Sequence, residues 1–268
     1  MLPERSWFVG CGNMGGAMLR GWLAGGIDPA AFTIVDPALK EAPDGVELCR
    51  DLVEAGVEVF DAVLLGFKPQ MLDKIAPSVE SACGADTTVL SILAGVETAT
   101  LGRYFPAAKG HVRIMPNLAA ALGKSPIALF ANGIAVDDRV AVSQLMTPLG
   151  QVEWLADEDQ FHLVTALAGS GPAFVYRFID ALATGAANLG MDRAQADRLA
   201  LAMVEGAAAL AAVSEYDPGE LARRVASPGG VTQAGLDSLD EGQALEKLME
   251  KTLRSAAARN EEMAHEAR

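Results

Sequence analysis

Trp7-Phe8-Val9-Gly10-Cys11-Gly12-Asn13-Met14-Gly15 is the stretch of sequence that says most about the architecture of this chain. Three apolar residues typical of a short strand lead into a Gly-x-Gly-x-x-Gly pattern, and a helical pattern follows it. In such a unit the first glycine allows a tight turn, the second lets a pyrophosphate approach, and the third allows close helix–strand packing. We predict a Rossmann-type dinucleotide site with Gly10, Gly12, Asn13, Met14 and Gly15 as cofactor-binding residues; a glycine-rich turn without a ligand is the alternative.

Asp36 comes at the end of the predicted second strand, Thr33-Ile34-Val35. An acidic residue about 20 positions beyond the glycine loop normally binds the adenosine ribose hydroxyls, and its charge disfavours a 2′-phosphate. We therefore expect Asp36 to bind the cofactor and to favour NADH over NADPH. Because Asp before Pro37 is also a turn signal, a loop-capping role is the alternative.

Two later strands end in segments that suit the same cofactor. Lys68-Pro69-Gln70 follows a predicted strand over residues 61–67, and Ala94 follows one over residues 87–93. Ligands of open α/β sheets bind at the carboxyl ends of the strands, so we expect Lys68, Pro69 and Ala94 to contact the cofactor. The alternatives are a surface lysine before a helix with proline at its first position, and small residues that merely allow packing.

Composition excludes several classes of function. The net charge of −14 over 268 residues disfavours nucleic acid and anionic membranes as partners. No window approaches the roughly 20 apolar residues of a membrane span, and Met1-Leu2-Pro3-Glu4 does not begin a secretory signal, so we expect a cytoplasmic protein. Cys11, Cys49 and Cys83 are odd in number and lack paired spacing, which predicts reduced structural thiols and no metal site.

The pattern of elements changes near residue 158. Before it, the pattern predicts strands that alternate with helices. After it, the pattern predicts helices alone, over residues 161–167, 173–189, 193–213, 218–225, 232–239 and 244–263. We predict an α/β N-terminal Rossmann-type dinucleotide-binding domain of residues 1–158 and an all-α C-terminal domain of residues 159–268 for dimerisation and substrate binding.

The segment 193–213 is apolar on more than one face, with Leu199, Leu201, Met203 and Leu210 among its side chains. About 110 residues cannot bury such a helix well alone, which favours a homodimer. The alternative is a helix buried within its own monomer, and further assembly of dimers into rings stays open.

A turn with two adjacent glycines, which leave the backbone accessible, comes directly before a predicted helix in Ser227-Pro228-Gly229-Gly230-Val231-Thr232. The first N–H groups of a helix lack internal partners and carry the positive end of its dipole, so a carboxylate is stabilised there. Thr232 adds a hydroxyl donor. The segment predicts a carboxylate-binding turn, with an ordinary turn and helix cap as the alternative.

Five motifs occur in the order that pyrroline-5-carboxylate reductases show, and the chain resembles that family over essentially its whole length. They are Gly10-Cys11-Gly12-Asn13-Met14-Gly15, Phe67-Lys68-Pro69-Gln70, Arg113-Ile114-Met115-Pro116-Asn117, Gly169-Ser170-Gly171-Pro172-Ala173-Phe174 and Ser227-Pro228-Gly229-Gly230-Val231-Thr232. The first is shared with many dehydrogenases, whereas the last two together are close to diagnostic of the family.

The resemblance implies a Rossmann domain, a helical dimerisation domain, and reduction of 1-pyrroline-5-carboxylate to L-proline with NADPH or NADH, the last step of proline biosynthesis. It implies that Ser227, Gly229, Gly230 and Thr232 hold the carboxylate of this cyclic imine, and that Lys68-Pro69 and Ala94 border the nicotinamide. For a hydrogen bond to the developing amine, Thr232 is the first candidate and Ser170 the second. A reductase for a related cyclic imine, and a catalytically silent regulatory protein, are the alternatives.

The chain departs from the family pattern at four places. Leu118-Ala119-Ala120 stands where Thr-Pro-Ala is usual, Ala168 where a serine is usual, and Ala202-Met203 where Gln-Thr is common. These three bear on the shape of the pocket. Asp36-Pro37-Ala38 replaces the usual Asn-Arg-Ser or Asn-Arg-Thr, and bears on the choice between NADPH and NADH.

Overall fold

The computed structural model describes residues 5–55 and 60–266, with the backbone alone for residues 263–266. The chain forms two compact units. The first is Met1–Gly169 together with Ala256–Arg268, and the second is Ser170–Ser255. The sequence-based boundary after residue 158 stays a prediction.

The first unit is built on one eight-stranded sheet with the strand order β3-β2-β1-β4-β5-β6-β7-β8. The strands are β1 (Ser6–Val9), β2 (Phe32–Val35), β3 (Glu47–Cys49), β4 (Ala62–Leu65), β5 (Thr88–Ser91), β6 (Gly110–Met115), β7 (Ser125–Ala131) and β8 (Gly150–Trp154). The order of the first six strands is that of a Rossmann sheet, so the predicted fold class is confirmed.

The expected parallel arrangement extends from β3 to β6, whereas β7 runs antiparallel to β6, and β8 is parallel to β7. A parallel crossover needs a dozen or more residues, usually including a helix. The connection over residues 116–124 is shorter and contains one 3-10 helix, Leu118–Leu122, so the chain reverses direction there.

Helices cover both faces of this sheet: α1 (Asn13–Ala24), α2 (Leu72–Glu80), α3 (Thr98–Tyr104), α4 (Val136–Met146) and α5 (Gln160–Val164), which continues as a π-helical turn, Thr165–Gly169. Successive strand side chains point to opposite faces. Phe8 accordingly packs in a core with Trp22 and Phe32, while Trp7 packs in a second core, stacked on Phe60. All residues of β1 are buried, which holds its carboxyl end in place beneath the glycine loop.

The second unit is helical, as predicted. It contains α6 (Gly171–Asn188), α7 (Arg193–Val213), α8 (Pro218–Val225), α9 (Val231–Asp240) and the first half of α10 (Ala244–Glu266). Asp192 and Asp217 cap α7 and α8 by accepting from Gln195 N and Glu220 N at 3.0 and 2.8 Å. The fully buried residues of this unit are two alanines, Ala183 and Ala196.

Across the described residues, no single helix is long and apolar enough to cross a membrane, although the bent pair Arg193–Val213 and Pro218–Val225 meets that criterion jointly.

Candidate functional site

The glycine loop connects β1 to α1 and leaves its backbone open at one point. Gly10 has φ +85°, and a side chain there would lie 2.9 Å from Phe67 N, so only glycine suits this turn. A Cβ on Gly15 would lie 2.5 Å from Phe8 Cε1, which shows how closely α1 packs on β1. A Cβ on Gly12 would meet no described atom within 4 Å. The loop therefore offers free backbone at Gly12 and close packing behind it.

The start of α1 is suited to an anion. Gly12 is its N-cap residue and supplies no side-chain cap, so the first N–H groups of the helix are left for a ligand. They face a cleft of about 840 Å³. Its lining includes Cys11, Gly12, Asn13, Gly16, Leu19, Arg20, Asp36, Ala38, Leu39, Glu41, Ala42, Pro43 and Leu118. This volume lies within the usual range of cofactor sites, so the cradle fits a dinucleotide.

Asp36 ties two loops of this cleft together. Its Oδ2 accepts from Cys11 N at 2.8 Å, and its Oδ1 accepts from Ala38 N at 2.8 Å and from Leu39 N at 3.3 Å. The loop-capping alternative is thus present in the structure. A carboxylate has about four acceptor positions, so it retains capacity for ribose hydroxyls.

Lys68, Pro69 and Ala94 all lie at the carboxyl edge of the sheet. Lys68 is exposed and precedes a short 3-10 helix, Pro69–Met71, while Ala94 is exposed at the tip of the turn after β5. A second cleft, of about 400 Å³, is lined by Pro69 and Gln70 on one side and by Gly95 and Val96 on the other. The structure thus brings the two predicted nicotinamide-side segments together.

The three cysteines are buried and free. Burial, with a smaller contribution from Asp36, raises the pKa of the Cys11 thiol to about 11. Burial also raises the pKa of Cys83 to about 12 and that of Cys49 above its usual value. Thiols that stay protonated are poor nucleophiles. Among the described residues, no group of His, Cys, Asp and Glu is arranged to hold a metal ion.

Asn117 supports the loop after β6. Its Oδ1 accepts from Ala119 N at 2.9 Å, and its Nδ2 donates to Ala168 O at 3.0 Å in the π-helical turn. Its backbone N–H donates to Ser125 Oγ at 2.9 Å. The family motif residue thus fastens the β6–β7 connection to the segment that leads into α6.

Glu158 is a residue that sequence reasoning missed. Its Oε1 accepts from Arg113 Nη1 and from Thr98 N, both at 2.8 Å, and its Oε2 accepts from Thr98 Oγ1 at 2.7 Å. The Arg113 guanidinium also lies 4.3 Å from the centre of the Phe161 ring. Glu158 belongs to no motif, and it joins residues 60 and 45 positions away in sequence, so local patterns gave no signal for it.

The 227–232 turn opens the helix α9 in the second unit. Gly229 has φ +70° and would meet no described atom within 4 Å if it carried a Cβ. Gly230 N donates to Ser227 O at 2.9 Å, and Gly230 is the N-cap residue of α9, without a side-chain cap. A Cβ on Gly230 would lie 2.3 Å from Ser227 Oγ. The first N–H groups of α9, and the exposed Thr232 beside them, are therefore open to an anion.

Ser170 begins the second unit as the N-cap residue of α6. Its side chain makes no capping hydrogen bond. The structure thus places Ser170, Ser227, Gly229, Gly230 and Thr232 in the second unit, and the predicted cofactor residues in the first.

Comparison with known proteins decides the family. A curated pyrroline-5-carboxylate reductase of Pseudomonas aeruginosa is 34% identical over 99% of both chains, and one of Escherichia coli is 32% identical over 94% of this chain and 98% of its own. The chain belongs to the pyrroline-5-carboxylate reductase family. The family model for pyrroline-5-carboxylate reductase dimerisation matches residues 158–263, and a model described as NADP oxidoreductase, coenzyme F420-dependent, matches residues 7–95.

Solved structures of pyrroline-5-carboxylate reductases share this fold. That from Coxiella burnetii superposes with a TM-score of 0.89 at 30% identity, covering 97% of this chain and 98% of its own. A Plasmodium falciparum pyrroline carboxylate reductase with NADP bound has a TM-score of 0.80 at 21% identity, with the same coverage. This reductase-family chain therefore shares its fold with them over nearly its whole length.

Proposed function

We propose that the chain reduces 1-pyrroline-5-carboxylate to L-proline with a reduced nicotinamide dinucleotide. One observation carries the proposal: both α1 and α9 begin at a glycine and have no side-chain cap, so the first N–H groups of each helix are accessible to an anion. The first suits the pyrophosphate of a cofactor, and the second suits the carboxylate of a small substrate. Membership of the pyrroline-5-carboxylate reductase family supports this assignment of the two sites.

On the substrate side, Ser227, Gly229, Gly230 and Thr232 hold the carboxylate. The bare backbone of Gly229 lets the anion reach the first N–H groups of α9, and the two hydroxyls add donors. A carboxylate held there also keeps the neighbouring imine nitrogen protonated, because an adjacent anion favours the cationic form. The bound substrate is then already an electrophile.

The reaction asks the protein mainly for alignment. A bound reduced nicotinamide would supply the hydride for the C=N carbon, and the π electrons of that bond would pass to the nitrogen, which already carries its proton. Lys68, Pro69 and Ala94 would position the nicotinamide ring at the edge of the sheet. Thr232 Oγ1 hydrogen-bonds the imine nitrogen of the substrate as it becomes an amine, with Ser170 as the second candidate.

We further propose that NADH is the preferred cofactor. Asp36 places a negative charge at the ribose end of the cleft, where a 2′-phosphate would be repelled. Its three bonds to backbone N–H groups hold that carboxylate at a defined position. Arg20 also lines the cleft, and its positive charge opposes this preference.

A cytoplasmic homodimer is the proposed functional form. Leu199, Met203, Leu210 and Val213 are all more than half exposed, and their spacings place them along one side of α7. Such an apolar stripe on a soluble helix marks a contact surface, and the family's dimerisation domain supports a second copy as the partner.

The deciding experiment follows the oxidation of NADH, and in parallel NADPH, by purified protein with and without 1-pyrroline-5-carboxylate. We expect turnover that requires the imine and is faster with NADH. Cofactor binding without turnover would contradict the assignment and favour a related cyclic imine or the regulatory alternative.

A further inference from the structure

We infer that Glu158 and Thr98 form a brace that positions the turn bordering the nicotinamide, so that Thr98 is a positioning residue for the nicotinamide half of the cofactor. The inference rests on the proposed function in one respect, the placement of the nicotinamide beside Ala94. Every contact of the brace lies within the first unit.

The turn in question is residues 93–96. Val96 N donates to Leu93 O at 3.3 Å, and Gly95 has φ +75°, which leaves Ala94 at the exposed tip. On the β5 side the turn is held by the sheet, where Ile92 N donates to Leu65 O at 3.1 Å. The position of the tip therefore also depends on what holds its other side, the start of α3.

Glu158 holds that other side. Its carboxylate accepts from both the N–H and the hydroxyl of Thr98, the first residue of α3, at 2.8 and 2.7 Å. Thr98 is 6% exposed, so the donor end of both bonds is shielded from water, while the Glu158 side chain is 20% exposed. The brace spans 60 residues of sequence and fixes α3 to the segment before α5.

The other end of the brace is anchored in the sheet. Arg113 of β6 is 6% exposed, pairs with Glu158 Oε1 at 2.8 Å, and rests on the Phe161 ring. In the register of the sheet, Arg113 lies beside Ser91, the last residue of β5. A buried cation with a partner on one side and an aromatic face on the other is held firmly, so it locates the Glu158 carboxylate relative to β5.

Glu158→Gln would leave the Arg113 cation buried without its counter-charge, which destabilises the fold, so Thr98→Val is the sharper test. It removes one hydroxyl, keeps the shape of the side chain, and leaves the Thr98 N–H bond and the Arg113–Glu158 pair in place. Thr87→Val is the matched control, because Thr87 is fully buried just before the opposite end of β5, where its Oγ1 donates to Phe60 O at 2.7 Å and accepts from Gly84 N at 2.9 Å.

Binding of NADH and of ADP-ribose, which lacks the nicotinamide, is measured by titration for the full-length wild type and the variants. We expect Thr98→Val to weaken NADH roughly two- to tenfold without changing ADP-ribose affinity, Thr98→Ser to restore NADH affinity, and Thr87→Val to alter neither. If Thr98→Val weakens both ligands equally, or neither, the positioning role is overturned. A wild type that binds NADH but fails to reduce 1-pyrroline-5-carboxylate would contradict the proposed function, while the binding comparison would still decide the role of the brace.

Discussion

The two units of the chain bury their apolar side chains to very different extents. In the first, Trp7, Phe8 and Trp22 are about 1% exposed, and cores cover both faces of the sheet. In the second, the fully buried residues are two alanines, while Leu210 is 62% exposed. The first unit completes its own core, whereas the second leaves large apolar side chains exposed, and this difference is the basis of the proposed homodimer.

The same contrast applies to the two uncapped helix starts. At α1, Gly15 packs against Phe8, and Asp36 clasps the glycine loop. At α9, an added Cβ on Gly229 would meet no described atom within 4 Å. The glycine loop at α1 thus lies against a complete core, whereas the turn at α9 lies in the unit that buries few of its own side chains.

The largest expected effect is on dimerisation, and it tests whether the exposed apolar side chains of α7 form the dimer contact. Leu210→Asp should weaken dimerisation on the order of a thousandfold, because an interface would then bury an unpaired carboxylate from each copy. Sedimentation analysis over a range of concentrations measures it. Val136→Asp, at a residue 75% exposed in the first unit, is the control and should leave the dimer unchanged. A fully dimeric Leu210→Asp protein would show that this stripe is not the missing surface.

The next effect tests the chemistry of the second unit. Thr232→Ala should lower kcat/KM by roughly ten- to a hundredfold, because in the proposed mechanism its hydroxyl bonds the reacting nitrogen most strongly in the transition state. Steady-state kinetics measure it. Thr252→Ala, which removes a hydroxyl bonded to Leu248 O in the same unit, should leave kcat/KM unchanged. An unaltered Thr232→Ala enzyme would confine that residue to the helix start.

Two glycine-to-alanine substitutions, one in each unit, compare how tightly the two units are packed. Gly15→Ala should lower the free energy of unfolding by about 1–3 kcal/mol, because its Cβ would overlap Phe8. Gly185→Ala, in α6 with open space around it, should raise that free energy by up to about 1 kcal/mol through helix propensity. Urea denaturation measures both. Equal effects of the two changes would mean that the units are packed alike.

The smallest effect concerns cofactor choice in the first unit. Asp36→Ala should shift the NADPH to NADH ratio of kcat/KM toward NADPH by roughly tenfold, since one partly buried charge contact is worth about 1–2 kcal/mol. Both cofactors should also lose affinity, because the clasp on the glycine loop is lost. Asp28→Ala, which removes a similar cap on Ala30 N, should leave the ratio unchanged. If Asp36→Ala also leaves it unchanged, Asp36 is a turn residue alone.

Much of the fold could be predicted because its local patterns are strong. Hydrophobic runs bounded by glycine and proline located most strands, and helix bounds such as 193–213 and 218–225 match the structure. The strand Glu47–Cys49 was missed because it has three residues and lies at the edge of the sheet, where alternation is too brief to detect.

The site could be predicted only where a motif carried it. Glycine spacing indicated the loop at Gly10 to Gly15 and the turn at Gly229-Gly230, because Gly10 and Gly229 have a positive φ that favours glycine. The triple acceptor role of Asp36 and the brace at Glu158 depend on contacts between residues far apart in sequence, which no periodicity encodes.

The first unit is interrupted in sequence, since Ala256–Arg268 belongs to it and follows the whole of Ser170–Ser255. Within that returning segment, Asn260 Nδ2 lies 3.0 Å from His162 Nδ1. During synthesis on the ribosome, the Rossmann sheet emerges well before the helical segment that completes its unit. The first unit of a nascent chain therefore cannot form its last contacts until the apolar second unit has been synthesised. During this interval the chain is most prone to mispairing with other chains.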